Sequence, residues 1–196
     1  RWLPGENLLT CRPSAETVAG ALDGPDGSLS DGEMPDREAE TSAPSRPAYA
    51  AVYLTSPDYL GHRADIAALA SVCHDRGVPL LVDNAHGAYL RFLRPDLHPL
   101  SLGADLTCDS AHKTLPALTG GAYLHIGRNA KRNESYAENA RRAMSLFGST
   151  SPSYLILESL DRINKMIPEG LREDLRSVCK AAEDIKGSLK DDGWSV

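Results

Sequence analysis

At 196 residues, with 41% hydrophobic and 24% charged side chains, the chain has the length and composition of one globular domain with a substantial core. No apolar run approaches the roughly 20 residues that span a bilayer, so no membrane partner is expected. The formal net charge of -6 gives no long-range attraction for nucleic acid, and none is expected as a partner.

The first 22 residues read as a partial N-terminal segment. Arg1 to Leu9 lacks the basic, apolar and small-residue blocks of a secretory signal, and the chain begins with Arg rather than Met, so the numbering is expected to start inside a longer polypeptide. Ser14 to Leu22 has apolar residues at Val18, Ala19, Ala21 and Leu22, a short helix. Residues 23–47 (DGPDGSLSDGEMPDREAETSAPSRP) are rich in Gly, Pro, Ser and acids and have almost nothing apolar to bury, which predicts an acidic flexible loop or insertion. An insertion fits better than a linker, because the preceding helix needs the following core to pack on.

From residue 48 the pattern becomes regular. AYAAVYLT is a short apolar run, Ala64 to Asp75 is helix-periodic, and PLLVD is a second apolar run, together a βαβ unit. ADLTCD and GGAYLHI supply a third and a fourth strand, and Pro152 to Met166 is a helix that starts at a Ser/Thr-rich cap. Residues 48–167 therefore form the core, and residues 168–196 a helical segment with Leu171, Leu175, Val178, Ile185 and Leu189 on one face. The expected class is α/β, a three-layer α/β/α sandwich around a mainly parallel sheet.

Ligands of open parallel sheets gather beyond the carboxyl ends of the strands. Two segments concentrate polar chemistry there: Asp83-Asn84-Ala85-His86-Gly87 after PLLV, and Ser110-Ala111-His112-Lys113-Thr114 after ADLTCD. Together they suit pyridoxal 5'-phosphate, which needs a lysine amine for a Schiff base, a carboxylate for the pyridine nitrogen and donors for the phosphate. Lys113 and Asp83 can supply the first two. Ser110, His112 and the backbone around them can bind phosphate, and the small Ala85 lets a flat ring lie against the loop.

At these residues the sequence resembles the major domain of the Orn/Lys/Arg decarboxylases, fold-type-I pyridoxal-phosphate enzymes of the aspartate-aminotransferase superfamily. The resemblance covers Ala48 to Asp161 and is carried by YLTSPDYLG, LLVDNAHGAYLRF, GADLTCDSAHKTLPALTGGAYLHI and STSPSYLILESLD. It implies that Lys113 is the Schiff-base lysine, that Asp83 pairs with the ring nitrogen, that His86 lies near the ring hydroxyl, and that Ser110 and His112 bind the phosphate. Ser149 and Thr150 match the family segment that reaches the phosphate of a neighbouring subunit, which implies a homodimer or higher homo-oligomer. Asn84 stands where the family usually has an acid. The family's glycine-rich phosphate loop, ring-stacking His and small C-terminal domain have no counterpart here, so the chain resembles the second half of a large domain.

The activity implied is decarboxylation of a small basic amino acid (ornithine, lysine or arginine) to a polyamine precursor. The same lysine and aspartate would serve an aminotransferase, and a non-catalytic remnant of the fold is the third reading. The remaining candidates read as structural. Cys11, Cys73, Cys108 and Cys179 form no C-x-x-C pair, so no metal site or disulfide scaffold is expected and the thiols suit a reducing, cytoplasmic compartment. Cys108, in an apolar strand, is expected in the core. His62, His74 and His98, in a loop, a helix and a turn with no partner spacing, read as surface or structural residues, and their even spacing with His86 as accidental. His125 reads as a sheet residue and Lys131, Arg132, Arg141 and Arg142 as a solvated face, while Trp2 and Trp194 are given no role.

Overall fold

The computed structural model describes residue 3 and residues 12–24 and 49–195. The acidic loop expected over 23–47 lies, apart from Asp23 and Gly24, outside the described residues. Helix α1 (Ala15–Asp23) begins where the Ser14 hydroxyl accepts the Thr17 N–H at 3.1 Å, satisfying one of the donors that a first turn leaves open. Strand β1 (Val52–Thr55) keeps only the second half of AYAAVYLT, VYLT, because the alanines before it have little side chain to pack on a pleated surface. Helix α2 (Ile66–Asp75) is capped by Asp65, whose carboxylate accepts the Ala68 N–H at 3.0 Å. It buries Ile66, Leu69, Ala70 and Cys73, the three- and four-residue spacing of one helix face.

Strands β2 (Leu80–Asp83) and β3 (Leu106–Asp109) follow, joined through 3₁₀ turns at Ala88–Phe92 and Pro99–Leu102. β1, β2 and β3 are parallel neighbours, with Thr55 opposite Asp83 and Asp83 opposite Cys108. Strand β4 (Tyr123–Ile126) pairs antiparallel with β3, and the spatial order is β1-β2-β3-β4. The mixed, mainly parallel α/β sheet is the class expected. β4 runs back because the segment between β3 and β4 holds only the single-turn helix α3 (Ala111–Thr114), too short to carry the chain to the far end of the sheet for a parallel crossover.

Alternation sorts the side chains onto two faces. Leu54, Leu80 and Val82 pack with Val18, Ile66, Leu69 and Cys73 into one apolar cluster under α1 and α2. Thr107 and Asp109 continue that covered face and are buried. The other face carries Tyr53, Thr55, Asp83, Cys108 and Leu124, with Tyr53 65% and Leu124 40% exposed. Cys108 therefore corrects the expectation of a core thiol: it is exposed, because β3 turns Thr107 and Asp109 inward and leaves the intervening residue on the open face.

The C-terminal third is helical, as α4 (Asn133–Phe147), α5 (Tyr154–Met166) and α6 (Arg172–Asp191), the last two joined by a π turn at Ile167–Leu171. A second cluster joins Ala88, Ala111, Leu115 and Ile163, with Leu160 and Tyr123 packed against it, and so ties α5 to the turn after β3. The apolar stripe expected on α6 forms, yet Val178 is 65% and Ile185 62% exposed. Among the described residues no helix is long and apolar enough to cross a membrane.

Leu80 is fully buried at the centre of the first cluster. Leu80→Ala should lower stability by about 2–5 kcal/mol, whereas Val178→Ala should stay within about 0.5 kcal/mol. Chemical denaturation of the two variants checks the difference, and equal losses would contradict the assigned core.

A candidate cofactor site at the carboxyl edge of the sheet

Three parallel strands end along one edge at Thr55, Asp83 and Asp109. Because β4 turns back, the segment from Ser110 to Thr114 stays on that edge, beside the Asn84–Gly87 turn. The topology thus brings the two polar segments together without a long excursion.

Asp83 is half-buried on the open face, and both of its oxygens are held. Oδ1 accepts the Ala85 N–H at 3.1 Å and Oδ2 accepts the Tyr53 hydroxyl at 3.1 Å. Cys108, directly across β3, has its thiol pushed up by burial and then by the negative Asp83 and Asp109.

Asn84 is fully buried and faces the other way. Its Nδ2 donates to Asp109 Oδ1 at 3.0 Å, and its backbone N–H donates to Cys108 O at 2.9 Å. The replacement of the family's acid therefore has a partner in this chain. Gly87 makes room for it: a Cβ at Gly87 would stand 2.0 Å from Asn84 Oδ1 and 2.8 Å from both Leu90 and Pro57, distances that no side chain tolerates.

Asp109 is 2% exposed. Its Oδ2 accepts His98 Nε2 at 2.7 Å and lies 3.4 Å from His125 Nε2. Burial alone would raise this carboxyl, but hydrogen bonds from His125, His98 and Asn84 and the His98 charge outweigh it and hold it well below the usual carboxylate range. His98 and His125 thus have a shared acidic partner. His74 also has one, Asp105 at 2.9 Å, and His62 has Asp58 at 3.0 Å.

Lys113 is exposed on α3, with its backbone N–H on Ser110 O at 3.1 Å and no ion pair to its amine among the described residues. Ser110 is the cap residue of α3 and makes no side-chain capping bond, which leaves its hydroxyl available. His112 Nδ1 lies 2.9 Å from Gly121 O. With Nδ1–H committed to that carbonyl, Nε2 is the ring nitrogen left to face an anion, and it donates only from the protonated ring. His86 meets Tyr59 edge-on at 5.5 Å, and its Nδ1, like Thr114 Oγ1, is buried with no partner. Ser149 and Thr150 are exposed between α4 and α5, and no described hydrogen bond links them to the Lys113 turn.

The donor set fits pyridoxal phosphate. An unengaged amine, a fixed carboxylate, two unsatisfied buried polar atoms and a small Ala85 lie in segments of one edge. No group of three or more metal-ligating side chains occurs among the described residues. A cavity of about 800 Å³ lies elsewhere, on the covered face, lined by His98, Asp109, Tyr123 and His125 but by neither Asp83 nor Lys113. Strand ends rather than cavity size locate this site. Tyr53, Tyr59 and Asp109 escaped the sequence reading; only the parity of residues along adjacent strands could have pointed to Tyr53 and Asp109.

Asp109→Asn should cost about 2–4 kcal/mol of stability at pH 7, since it removes a buried charge from its partners. The folded carboxyl is depressed below its unfolded value of about 3.9, so its contribution is present above that pH and lost as pH falls further. Urea denaturation of the protein and the variant should show a gap that narrows below about pH 4; a gap independent of pH would contradict the pairing.

A family model described as "Orn/Lys/Arg decarboxylase, major domain" matches residues 30–196. The match extends past the Ala48–Asp161 span that the motifs mark, at both ends. Uncharacterized protein YaaO of Bacillus subtilis is 32% identical over 202 aligned residues, covering 93% of this chain and 40% of that protein. An arginine decarboxylase of Halalkalibacterium halodurans is 28% identical over 151 residues, covering 76% of this chain and 30% of that enzyme. A protein of Methanothermobacter thermautotrophicus named "UPF0425 pyridoxal phosphate-dependent protein" is 26% identical over 156 residues, 77% of this chain and 40% of its own length. The chain spans less than half the length of these relatives. With motifs, sheet order and family match in agreement, the chain belongs to the Orn/Lys/Arg decarboxylase family and corresponds to part of its major domain.

Proposed function

We propose that this chain supplies the lysine-bearing part of a pyridoxal-phosphate site, in a protein that decarboxylates a basic amino acid to a diamine or related polyamine precursor. The observation that carries the reading is that the segments bearing Asp83 and Lys113 lie at adjacent parallel strand ends and are joined by the Asn84–Asp109 hydrogen bond. The relative named arginine decarboxylase supports a basic substrate, and the relative named for pyridoxal phosphate supports the cofactor.

The residues divide the work. Lys113 offers an exposed amine that would hold the cofactor and could return a proton to the substrate α-carbon. Asp83, fixed at both oxygens, places negative charge where a ring nitrogen would be protonated. When bound, the cofactor supplies an electron sink for the bond that breaks. His86, with a buried Nδ1 free of partners, would meet the ring hydroxyl, and the small Ala85 would leave room for the ring. Ser110 Oγ and His112 Nε2 would receive the phosphate, with Ser149 and Thr150 reaching it from a second subunit. Exposed Phe147, Tyr154 and Leu155 beside that segment support a homodimer, since apolar surface of this kind gains by being covered.

Incubation with pyridoxal phosphate, borohydride reduction and peptide mapping should place the pyridoxyl group on Lys113, with Lys113→Ala removing it. Label spread over other lysines would contradict the assignment. In the complete protein, Asp83→Asn should leave that labelling intact and lower decarboxylation by about 100-fold or more, because the ring charge is used most fully in the transition state. Carbon dioxide release from arginine, lysine and ornithine measures this and ranks the substrates; turnover close to the parent's would make Asp83 a loop cap only.

A further inference from the structure

We propose that Tyr53 is a positioning residue for this site: its hydroxyl orients the Asp83 carboxylate, so that a proton shared between that carboxylate and a pyridine ring nitrogen stays on the ring. The proposal rests on Asp83 facing that nitrogen. Register puts Tyr53 opposite Leu81 and Thr55 opposite Asp83 on neighbouring parallel strands. Tyr53 and Asp83 therefore stand on the same open face, two residues apart along the sheet, a diagonal that a tyrosine can span. The hydroxyl arrives 3.1 Å from Oδ2, on the oxygen that the Ala85 N–H does not hold. With one donor on each oxygen, the carboxylate has one orientation and still keeps a free lone pair on each for a ligand.

The chemistry has one sign. A hydrogen bond donated to a carboxylate favours its charged form, and in a carboxylate–pyridine pair the charged form is the one with the proton on nitrogen. The neighbours are suited to stay neutral. The Tyr53 hydroxyl is raised by burial, then by the Asp83 charge and the hydrogen bond to it, so it keeps the proton it donates. The Cys108 thiol on the other flank is raised as well and adds no competing negative charge. Packing does not account for the choice of residue. The Tyr53 side chain is 65% exposed, and a valine or phenylalanine would serve the strand equally well.

The test uses ring-¹⁵N-labelled pyridoxal phosphate fixed on Lys113 by borohydride, with the nitrogen chemical shift followed against pH. It compares the parent chain with Tyr53→Phe, Asp83→Asn and the double variant, each checked for unchanged circular dichroism. At neutral pH Tyr53→Phe should move the nitrogen resonance part of the way toward the value of the unprotonated ring, and Asp83→Asn should move it further. The double variant should match Asp83→Asn alone, because Tyr53 acts through that carboxylate. A shift with Asp83→Asn and none with Tyr53→Phe would overturn the role of Tyr53 and leave the site reading standing. A double variant displaced beyond Asp83→Asn would show Tyr53 acting on the ring directly, against the proposal. No shift with Asp83→Asn, or no adduct on Lys113, would overturn the site reading and the proposal with it.

Discussion

The hydrogen bond from Asn84 to Asp109 joins the two loops on which the site depends. Each partner is the immediate neighbour of a proposed site position: Asn84 follows Asp83, and Asp109 precedes Ser110, which begins the Lys113 turn. Both side chains are buried, so neither can exchange its partner for water without opening the covered face. Asp109 is also tied to His98, before the second 3₁₀ turn, and lies near His125 on β4. A buried carboxylate with this many donors is costly to disturb, and the cost falls on the relative placement of Asp83 and Lys113.

Two aspartates that end adjacent strands thus take opposite roles through parity alone. Asp83 lies across from Cys108, and Asp109 is one residue further along β3, on the opposite face. The covered aspartate is consumed by structure, with its charge matched by histidines and an amide. The open one keeps lone pairs for a ligand. Gly87 belongs to the same economy of space, since any Cβ there would strike the Asn84 side chain and loosen the link.

Much of this was legible in the sequence, for identifiable reasons. Apolar runs ending in Asp83 and Asp109 mark parallel strands with a common edge, and the polar residues after them mark the candidate site. What depends on strand parity was not legible. Cys108 sits in a run that reads as apolar, yet its neighbours Thr107 and Asp109 occupy the covered face and push it outward. His74 and Asp105 are 31 residues apart, and His98 and Asp109 are 11 apart, so their pairing follows only once the strands are in register. Tyr53 reached Asp83 by the same route. Helix α4 has no buried residue, and its mainly polar and charged composition offers no apolar run to mark it. The exposed stripe of α6 shows the converse: amphipathic spacing predicts the helix but not whether its partner lies within the same chain.

The central claim is that the Asp83 and Lys113 loops form one ligand site at the carboxyl edge. An amide-resolved NMR titration of the chain with pyridoxal phosphate tests it most directly. The account predicts that resonances of residues 83–87 and 110–114 move together along one binding curve, while those of His98 and His125 in the cavity on the covered face move little. Perturbation of one loop without the other, or a response centred on that cavity, would contradict it.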